Sequence, residues 1–564
     1  MPRTVSIGRQ DFEKLRKNHN FYVDKTLFIK EWWEADDEVT LITRPRRFGK
    51  TLTMSMVEKF FSVEYADRSD LFTGLHIWEE EKYCGLQGTY PVISISFAGI
   101  KEADYVTTRR KICQIIAEEY IRYDFLLEGD CLAESEKATF HRKTIDMDDV
   151  DATLALNQLS LYLSRYYGKK VIILLDEYDT PMQEAYVNGY WEEMAAFTRS
   201  LFNATFKTNR YLERAIMTGI TRVSRESMFS DLNNLKVVTT TSERYSDCFG
   251  FTEGEVFAAL EEFGLSDRKE EVKQWYDGFS FGSYSDIYNP WSIINYLDTG
   301  EVASYWANTS SNSLAEKLIR EGSPEIKMTM ESLLQGKTFH AAFDEQIVFS
   351  QLDQGDDAVW SLFLACGYLK VMHYEFNKVR RRPEYDLKLT NMEVQMMFEQ
   401  MVEGWFGGCR RVRGAFLQAL LADDLETMNE YMNDISSTLF SSFDTGKKSS
   451  GKTQPERFYH GFVLGLMVEL QGRYIITSNR ESGLGRYDIM LEPMNAGENA
   501  FVIEFKVAHT GKGETLENAV EAALEQIEKK QYETVLRSRG IPEGKIRKYG
   551  FAFAGSRVLI GKTK

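Results

Sequence analysis

The sequence predicts an α/β protein: a parallel sheet with helices on both faces, a mainly helical middle region, and a small α/β unit at the C-terminal end. Three observations lead there. Strand and helix patterns alternate through the first half, which implies parallel strands joined by covering helices. Beyond about residue 251 the strand patterns give way to a run of short helical ones. A segment rich in Ser, Gly and Lys at 441–455 then precedes a final stretch that reads helix, three strands, helix, strand. With 564 residues the chain exceeds one hydrophobic core. The expected domains are 1–250, 251–440 and 456–564, with 441–455 as linker.

Each element has its own signal. Residues 39–43 form a short apolar run, read as a buried strand, and 51–61 as the helix after it. The run PVISISF at 91–97 is a second strand, followed by an amphipathic helix at about 103–123. The polar stretch 128–151 reads as a loop, and a helix at about 152–167 leads into KVIILLD at 170–176, the most apolar strand of the chain. A helix at 191–206 precedes a strand at 214–219. Short helices are expected near 253–263, 268–276, 291–297, 312–321, 325–335 and 357–366. The last of these meets strand-like runs at 368–374 and 385–389, an order that suggests a winged-helix-like element. A long helical stretch covers 392–440. Past the linker come a helix at 456–470, strands at 474–476, 487–492 and 501–507, a helix at 515–537 and a strand at 549–553.

Composition narrows the function classes. Hydrophobic residues make up 43% and charged residues 27%, as in ordinary globular proteins. The net charge of −17 argues against coating DNA by bulk electrostatics. That charge is uneven: residues 455–564 hold 16 basic and 14 acidic residues, which points any nucleic-acid contact to the C-terminal end. The six cysteines form no CxxC pair, so a zinc ribbon is disfavoured and reduced thiols are expected. The N-terminus lacks the apolar core of a signal peptide, and no apolar run reaches the roughly 20 residues needed to span a bilayer. A cytoplasmic location is the expectation.

Two local patterns carry chemistry. In the first, Arg44-Pro45-Arg46-Arg47-Phe48-Gly49-Lys50-Thr51 follows a strand and opens a helix. Backbone N–H groups from Arg47 to Gly49 at a helix N-terminus, a lysine and a hydroxyl are the parts of a phosphate-binding P-loop, with Thr51 for Mg²⁺. Arg44 stands where such a loop usually has its first glycine. The strand ending Leu174-Leu175-Asp176-Glu177 supplies an acid to reach that Mg²⁺, Asp176, and one to polarise an attacking water, Glu177. A third strand ends at Thr218, the candidate γ-phosphate sensor, with Arg222 or Arg225 as charge-stabilising residues.

The second pattern lies in FVIEFKV at 501–507. Alternation along a strand places Glu504 and Lys506 on one face. Asp488, in an adjacent strand pattern, can present its carboxylate beside Glu504. Two carboxylates and the Phe505 carbonyl suit Mg²⁺ or Mn²⁺, while Lys506 would position water or stabilise charge on a phosphate. Nearby, Arg537, Arg539, Lys545, Arg547 and Lys548 form a basic cluster that could follow a phosphate backbone.

The runs FYVDKT (21–26), RPRRFGKT (44–51), LLDEYDTP (174–181), WYDG (275–278), YNPW (288–291) and YWANT (305–309) together resemble the bacterial AAA-ATPase-like family. That family commonly carries a C-terminal PD-(D/E)xK nuclease-like domain of restriction-endonuclease-like fold, and it too replaces the first P-loop glycine by Arg. The resemblance implies ATP as the nucleotide. It adds Glu456, with His460 as rival, as a supporting acid, and Gln526 as a polar residue beside the metal. The resulting expectation is an ATP-binding, ATP-hydrolysing protein with a fused Mg²⁺-dependent nuclease domain acting on DNA or RNA, its oligomeric state open. The alternative is a nucleotide-controlled switch whose C-terminal domain binds nucleic acid or protein without cutting.

Overall fold

Five parallel strands make the first sheet: β1 (Val39–Thr43), β2 (Val92–Ser96), β3 (Val171–Asp176), β4 (Leu212–Gly219) and β5 (Leu235–Val238). The computed structural model describes residues 2–221, 232–306, 313–334, 336–342, 356–405, 410–443, 472–478, 481–482, 485–495, 497–508, 514–554 and 557–563, with 467 and 470. The strand order β2-β3-β4-β1-β5 inserts β4 between the strand that enters the P-loop and the strand ending in Asp176. Ile42 lies opposite Thr218, and Leu175 opposite Met217, so the carboxyl ends of β1, β3 and β4 come out together. This register builds the nucleotide site.

Helix α1 (Lys50–Phe61) starts directly from the loop, with Gly49 at φ 84° as its N-cap. The residues β3 contributes are all buried, which explains its unbroken apolar run. The stretch expected as a loop at 128–151 contains a helix, Glu134–His141, whose first turn is secured by Glu136 accepting from the Ala133 N–H. The helix expected to reach 206 ends at Phe202 and continues as a π-helical turn, Asn203–Lys207.

The chain divides into two compact units, Met1–Glu321 with Ser332–Met397, and Gly322–Glu331 with Phe398–Lys564. Within the first, a helix at Asp356–Ala365 is followed by a β-hairpin, Leu369–Asn377 and Arg382–Leu389, longer than the two runs read from sequence. A third strand, Phe339–Ala341, pairs with the second arm, leaving 369–377 as an edge.

The second unit contains a mixed sheet of β6 (Tyr474–Ser478), β7 (Ile489–Pro493), β8 (Ala500–Val507), β9 (Ile546–Ala554) and β10 (Arg557–Lys562), in that order. Only β8 and β9 run parallel, and helix α2 (Leu516–Lys530) lies between them in sequence. The expected single helix to 537 breaks at Gln531, φ 53°, and resumes at Thr534–Ser538. Strand β10 had no sequence-based expectation. The expected helix at 456–470 and most of the linker lie outside the described residues.

The long helical stretch at 392–440 resolves into three helices, Met392–Trp405, Arg410–Leu421 and Leu425–Phe443. Met428 and Met432 pack into the core formed by Tyr474, Ile489, Phe501, Phe505 and Phe551. On the same helix, Asn429 exchanges two hydrogen bonds with the backbone of Ile560, and Asn433 does so with Val558, at 2.7–2.9 Å. Two amides four residues apart thereby occupy the open edge of β10, which would otherwise pair with other chains.

Candidate functional site

At the carboxyl ends of β1, β3 and β4, a hydrogen-bonded chain joins three side chains. Thr51 donates to Asp176 Oδ2 at 2.8 Å, and Thr218 donates to Asp176 Oδ1. Thr218 Oγ1 in turn accepts from the Glu177 N–H at 3.2 Å. Burial is the main force pushing the Asp176 carboxyl up, and the Thr218 hydroxyl opposes it. Lys50 is buried and folded onto its own loop, donating to the Arg44 and Pro45 carbonyls at 3.0 Å each. Its Nζ lies 3.8 Å from Glu177 Oε1. Glu177 sits at φ 54°, a costly backbone conformation for a non-glycine residue and one met at functional sites.

A cavity of about 370 Å³ opens over these groups. Gly49, Lys50, Thr51 and Glu177 line one part; Phe21, Tyr22, Phe251 and Trp291 line another. Arg47, at φ 65°, lays its guanidinium over Trp291 at 4.3 Å, while Phe48 is buried against Phe279 and Phe281. The Phe48 side chain is therefore a packing anchor, and its backbone borders the cavity.

Arg44 is fully buried and turned away from the phosphate position. Its guanidinium donates to the carbonyls of Thr43, Thr239, Arg244 and Tyr245 and lies 4.4 Å over Phe281. It ties the loop to the segment following β5. Sequence alone could not distinguish this role from a phosphate contact. Asp179 was also missed as an organiser. Its buried Oδ2 accepts from the N–H groups of Ile220 and Thr221, the Thr221 hydroxyl and the Gln183 amide. The signal was present in the third acid of LLDEYDTP, but most of its partners lie at the exit of β4. The motifs YNPW and YWANT gain a structural meaning too: Asn289 and Trp306 both donate to the Arg46 carbonyl, at 3.3 and 3.0 Å. Arg222 and Arg225 lie outside the described residues.

In the second unit, β8 carries Glu504, which is 2% exposed. Its Oε1 accepts from Gln526 on α2 and lies 3.6 Å from Lys506 Nζ; its Oε2 is buried and has no hydrogen-bond partner among the described residues. Burial pushes the Glu504 carboxyl up to about 8; Asp488 adds to the rise, and Lys506 opposes it. That influence of Asp488 on Glu504 places the two acids together. Asp488 Oδ2 accepts from the Phe505 N–H at 2.8 Å. The N–H and C=O of one strand residue leave on the same side, so the Phe505 carbonyl also faces Asp488. Asp488 lies just before β7 rather than within it. Gln526 further contacts the Tyr532 hydroxyl at 3.0 Å, a neighbour that sequence reading missed. Glu456 and His460 lie outside the described residues.

The orphaned oxygen of Glu504 gives a direct test of fit. A buried carboxylate oxygen without a donor, next to a second carboxylate and a backbone carbonyl, is a hard-oxygen arrangement that a divalent cation satisfies. The basic cluster fares differently. Arg539 pairs with Glu492, Arg547 with Asp423, Lys548 with Glu528 and Glu533, and Lys545 donates to the Gly497 carbonyl. Acids neutralise most of it.

A P-loop sheet with an acid and a hydroxyl on neighbouring strands defines a nucleoside-triphosphatase-type domain. A β-sheet joining Asp488, Glu504 and Lys506 defines a second domain of nuclease type. The comparisons agree: residues 6–229 match the family model described as a predicted AAA-ATPase, and residues 454–563 match that of the PD-(D/E)XK nuclease superfamily. The chain thus carries an AAA-ATPase-like domain followed by a PD-(D/E)XK nuclease superfamily domain. It is also similar to an "uncharacterized protein in vnfD 5′ region" of Azotobacter chroococcum mcd 1, with 26% identity over 583 residues covering 99% of this chain and 98% of the relative. Among the described residues, no helix is long and apolar enough to cross a membrane.

Proposed function

We propose that the chain binds and hydrolyses ATP with Mg²⁺ in its first unit and cleaves DNA or RNA in its second, with nucleotide turnover gating cleavage. The observation that carries the nucleolytic half is the unpartnered, buried Oε2 of Glu504 beside Asp488. Asp488, Glu504 and the Phe505 carbonyl would hold Mg²⁺ or Mn²⁺. When bound, such an ion supplies Lewis-acid stabilisation of a phosphodiester and a more acidic water. Gln526 fixes the Glu504 carboxylate, and Lys506 holds positive charge where a phosphate oxygen would gain negative charge.

For the nucleotide half, Lys50 would leave the Arg44 and Pro45 carbonyls to meet the terminal phosphates. Thr51 and Asp176 would hold Mg²⁺, Glu177 would orient water, and Thr218 would report on the γ-phosphate through its contact with Asp176. Phe21, Tyr22, Phe251 and Trp291, which also line the cavity, would pack against adenine. The second reading is a nucleotide-controlled switch whose C-terminal domain binds nucleic acid or protein without cutting; the acid-paired cations there, poorly suited to following a phosphate backbone, favour the protein.

The test is cleavage of labelled single- and double-stranded DNA and RNA by the full chain in a Mg²⁺ and Mn²⁺ titration, with and without ATP. Metal-dependent cleavage lost in Glu504→Ala supports the reading. Activity unchanged in Glu504→Ala and Lys506→Ala defeats it, and metal binding without any cleavage selects the second reading.

A further inference from the structure

The hairpin of the first unit, Leu369–Asn377 and Arg382–Leu389, has no part in either site, yet its surface is unlike the rest of the chain. Across 369–389 there are six basic and three acidic residues, in a protein of net charge −17. Four of the basic residues, Lys378, Arg380, Arg381 and Arg382, fall at the tip with no acid among them. The side chains of Lys378, Arg381 and Arg382 have no hydrogen-bond or ion-pair partner among the described residues, and Arg380 reaches only Glu384, at 3.6 Å. The turn itself is built: Asn377 Oδ1 accepts from the N–H groups of Val379 and Arg380, and its amide donates to Glu384 at 2.9 Å.

Beside these cations the first arm exposes large apolar groups. Tyr374 and Phe376 are 55% and 50% exposed, and Val379 at the tip is 92% exposed. Tyr374 is braced against the buried Tyr385 ring, 5.3 Å away. Aromatic faces fixed next to unneutralised cations combine the two interactions that hold unpaired nucleotides: base stacking and phosphate neutralisation. Of the acids in this region, Glu384 and Asp386 are engaged by Asn377, His340 and Arg380.

We infer that this hairpin is the chain's contact for single-stranded nucleic acid, with Lys378 and Arg380–Arg382 on the phosphates and Tyr374 and Phe376 under the bases. It rests on nucleic acid being the target, but not on cleavage. It also relocates the contact that the charge balance of the sequence assigned to the C-terminal end. A protein strand added to the open edge of 369–377 is the competing occupant. Charge complementarity favours the polyanion.

The experiment is fluorescence anisotropy of the full chain with a labelled single strand of about 20 nucleotides and its duplex, in EDTA without ATP so that neither site turns over. The triple variant R380A/R381A/R382A is expected to bind at least about tenfold more weakly, with a log–log salt slope lower by about 2. Y374A/F376A should lose about tenfold on the single strand, less on the duplex, and keep the salt slope. Lys378→Glu, a single change at an exposed residue, guards against misfolding and should weaken binding in the same direction. Absence of binding by the parent overturns the inference. So does unchanged affinity in all three variants at a parental melting temperature, and the hairpin then belongs to a protein partner. Hairpin-dependent binding in a chain that never cuts retains this inference and rejects the nuclease.

Discussion

At the tip of the first sheet both oxygens of Asp176 accept hydroxyls from within the chain, Thr51 on one side and Thr218 on the other. In the second unit one oxygen of Glu504 is held by Gln526, and the other has no donor among the described residues. Both carboxylates are buried and both are pushed up by that burial. The difference is in what a ligand would do. The nucleotide site is already closed on itself, so ligand must displace contacts. The acid pair at Glu504 is incomplete, so a cation would add contacts.

The largest effect that can break this comparison is at Glu504. Replacing it by Ala is expected to lower metal-dependent cleavage by about 10²–10³-fold, read from initial rates. In the same variant, the rise in melting temperature on adding Mg²⁺ without nucleotide should vanish. A Mg²⁺ response that persists would mean the two sites do not differ as described. Next comes Lys50→Ala, expected to abolish the stabilisation of the chain by ATP. That stabilisation should reach about 2.7 kcal/mol in the parent when ATP is a hundredfold above its dissociation constant. Calorimetry or a thermal shift series reads it directly.

Thr218→Val leaves the Asp176 carboxylate with one hydroxyl in a buried setting. A cost of about 1–3 kcal/mol is expected, with hydrolysis slowed more than ATP binding is weakened. Equal losses in both would make Thr218 a ground-state contact only.

The smallest effect sharpens the comparison with a control. Glu119 also has a buried oxygen without a partner among the described residues, but its charged neighbour is Arg122, 3.8 Å away. Burial pushes its carboxyl up to about 7. The folded state therefore holds the proton more tightly than the unfolded chain, whose ordinary value is 4.5. This stabilising contribution is complete below about pH 4.5 and is lost as the pH rises through about 7. Glu119→Gln should leave stability unchanged at low pH and raise it above pH 7, without any response to Mg²⁺. Urea melts at the two pH values check the sign.

Much of the nucleotide site could be read in the chain because its parts are local. Strand, loop and helix from Val39 to Phe61 form one continuous pattern, and an acid ending the apolar run at Asp176 announces a strand tip. Glu504 and Lys506 follow from alternation within one strand. What stayed hidden depends on partners distant in sequence. The Arg547 side chain looks like a free cation until Asp423, 124 residues away, is seen beside it. Arg44 looks like a defective glycine until the carbonyls beyond β5 surround it. Strands β5 and β10 end their sheets and are only partly buried, so neither carries the unbroken buried run that marks β3. The cations at 378–382 were legible, but that three of the four find no partner among the described residues was not.

The paired asparagines on helix Leu425–Phe443 have a practical corollary for dissecting this protein. A fragment cut just before the nuclease-type sequence would lose Asn429 and Asn433, baring the polar backbone at Val558 and Ile560 along the sheet's outer rim. Such a piece is expected to self-associate in light scattering, whereas one beginning near Phe398 keeps its own stopper and stays monodisperse.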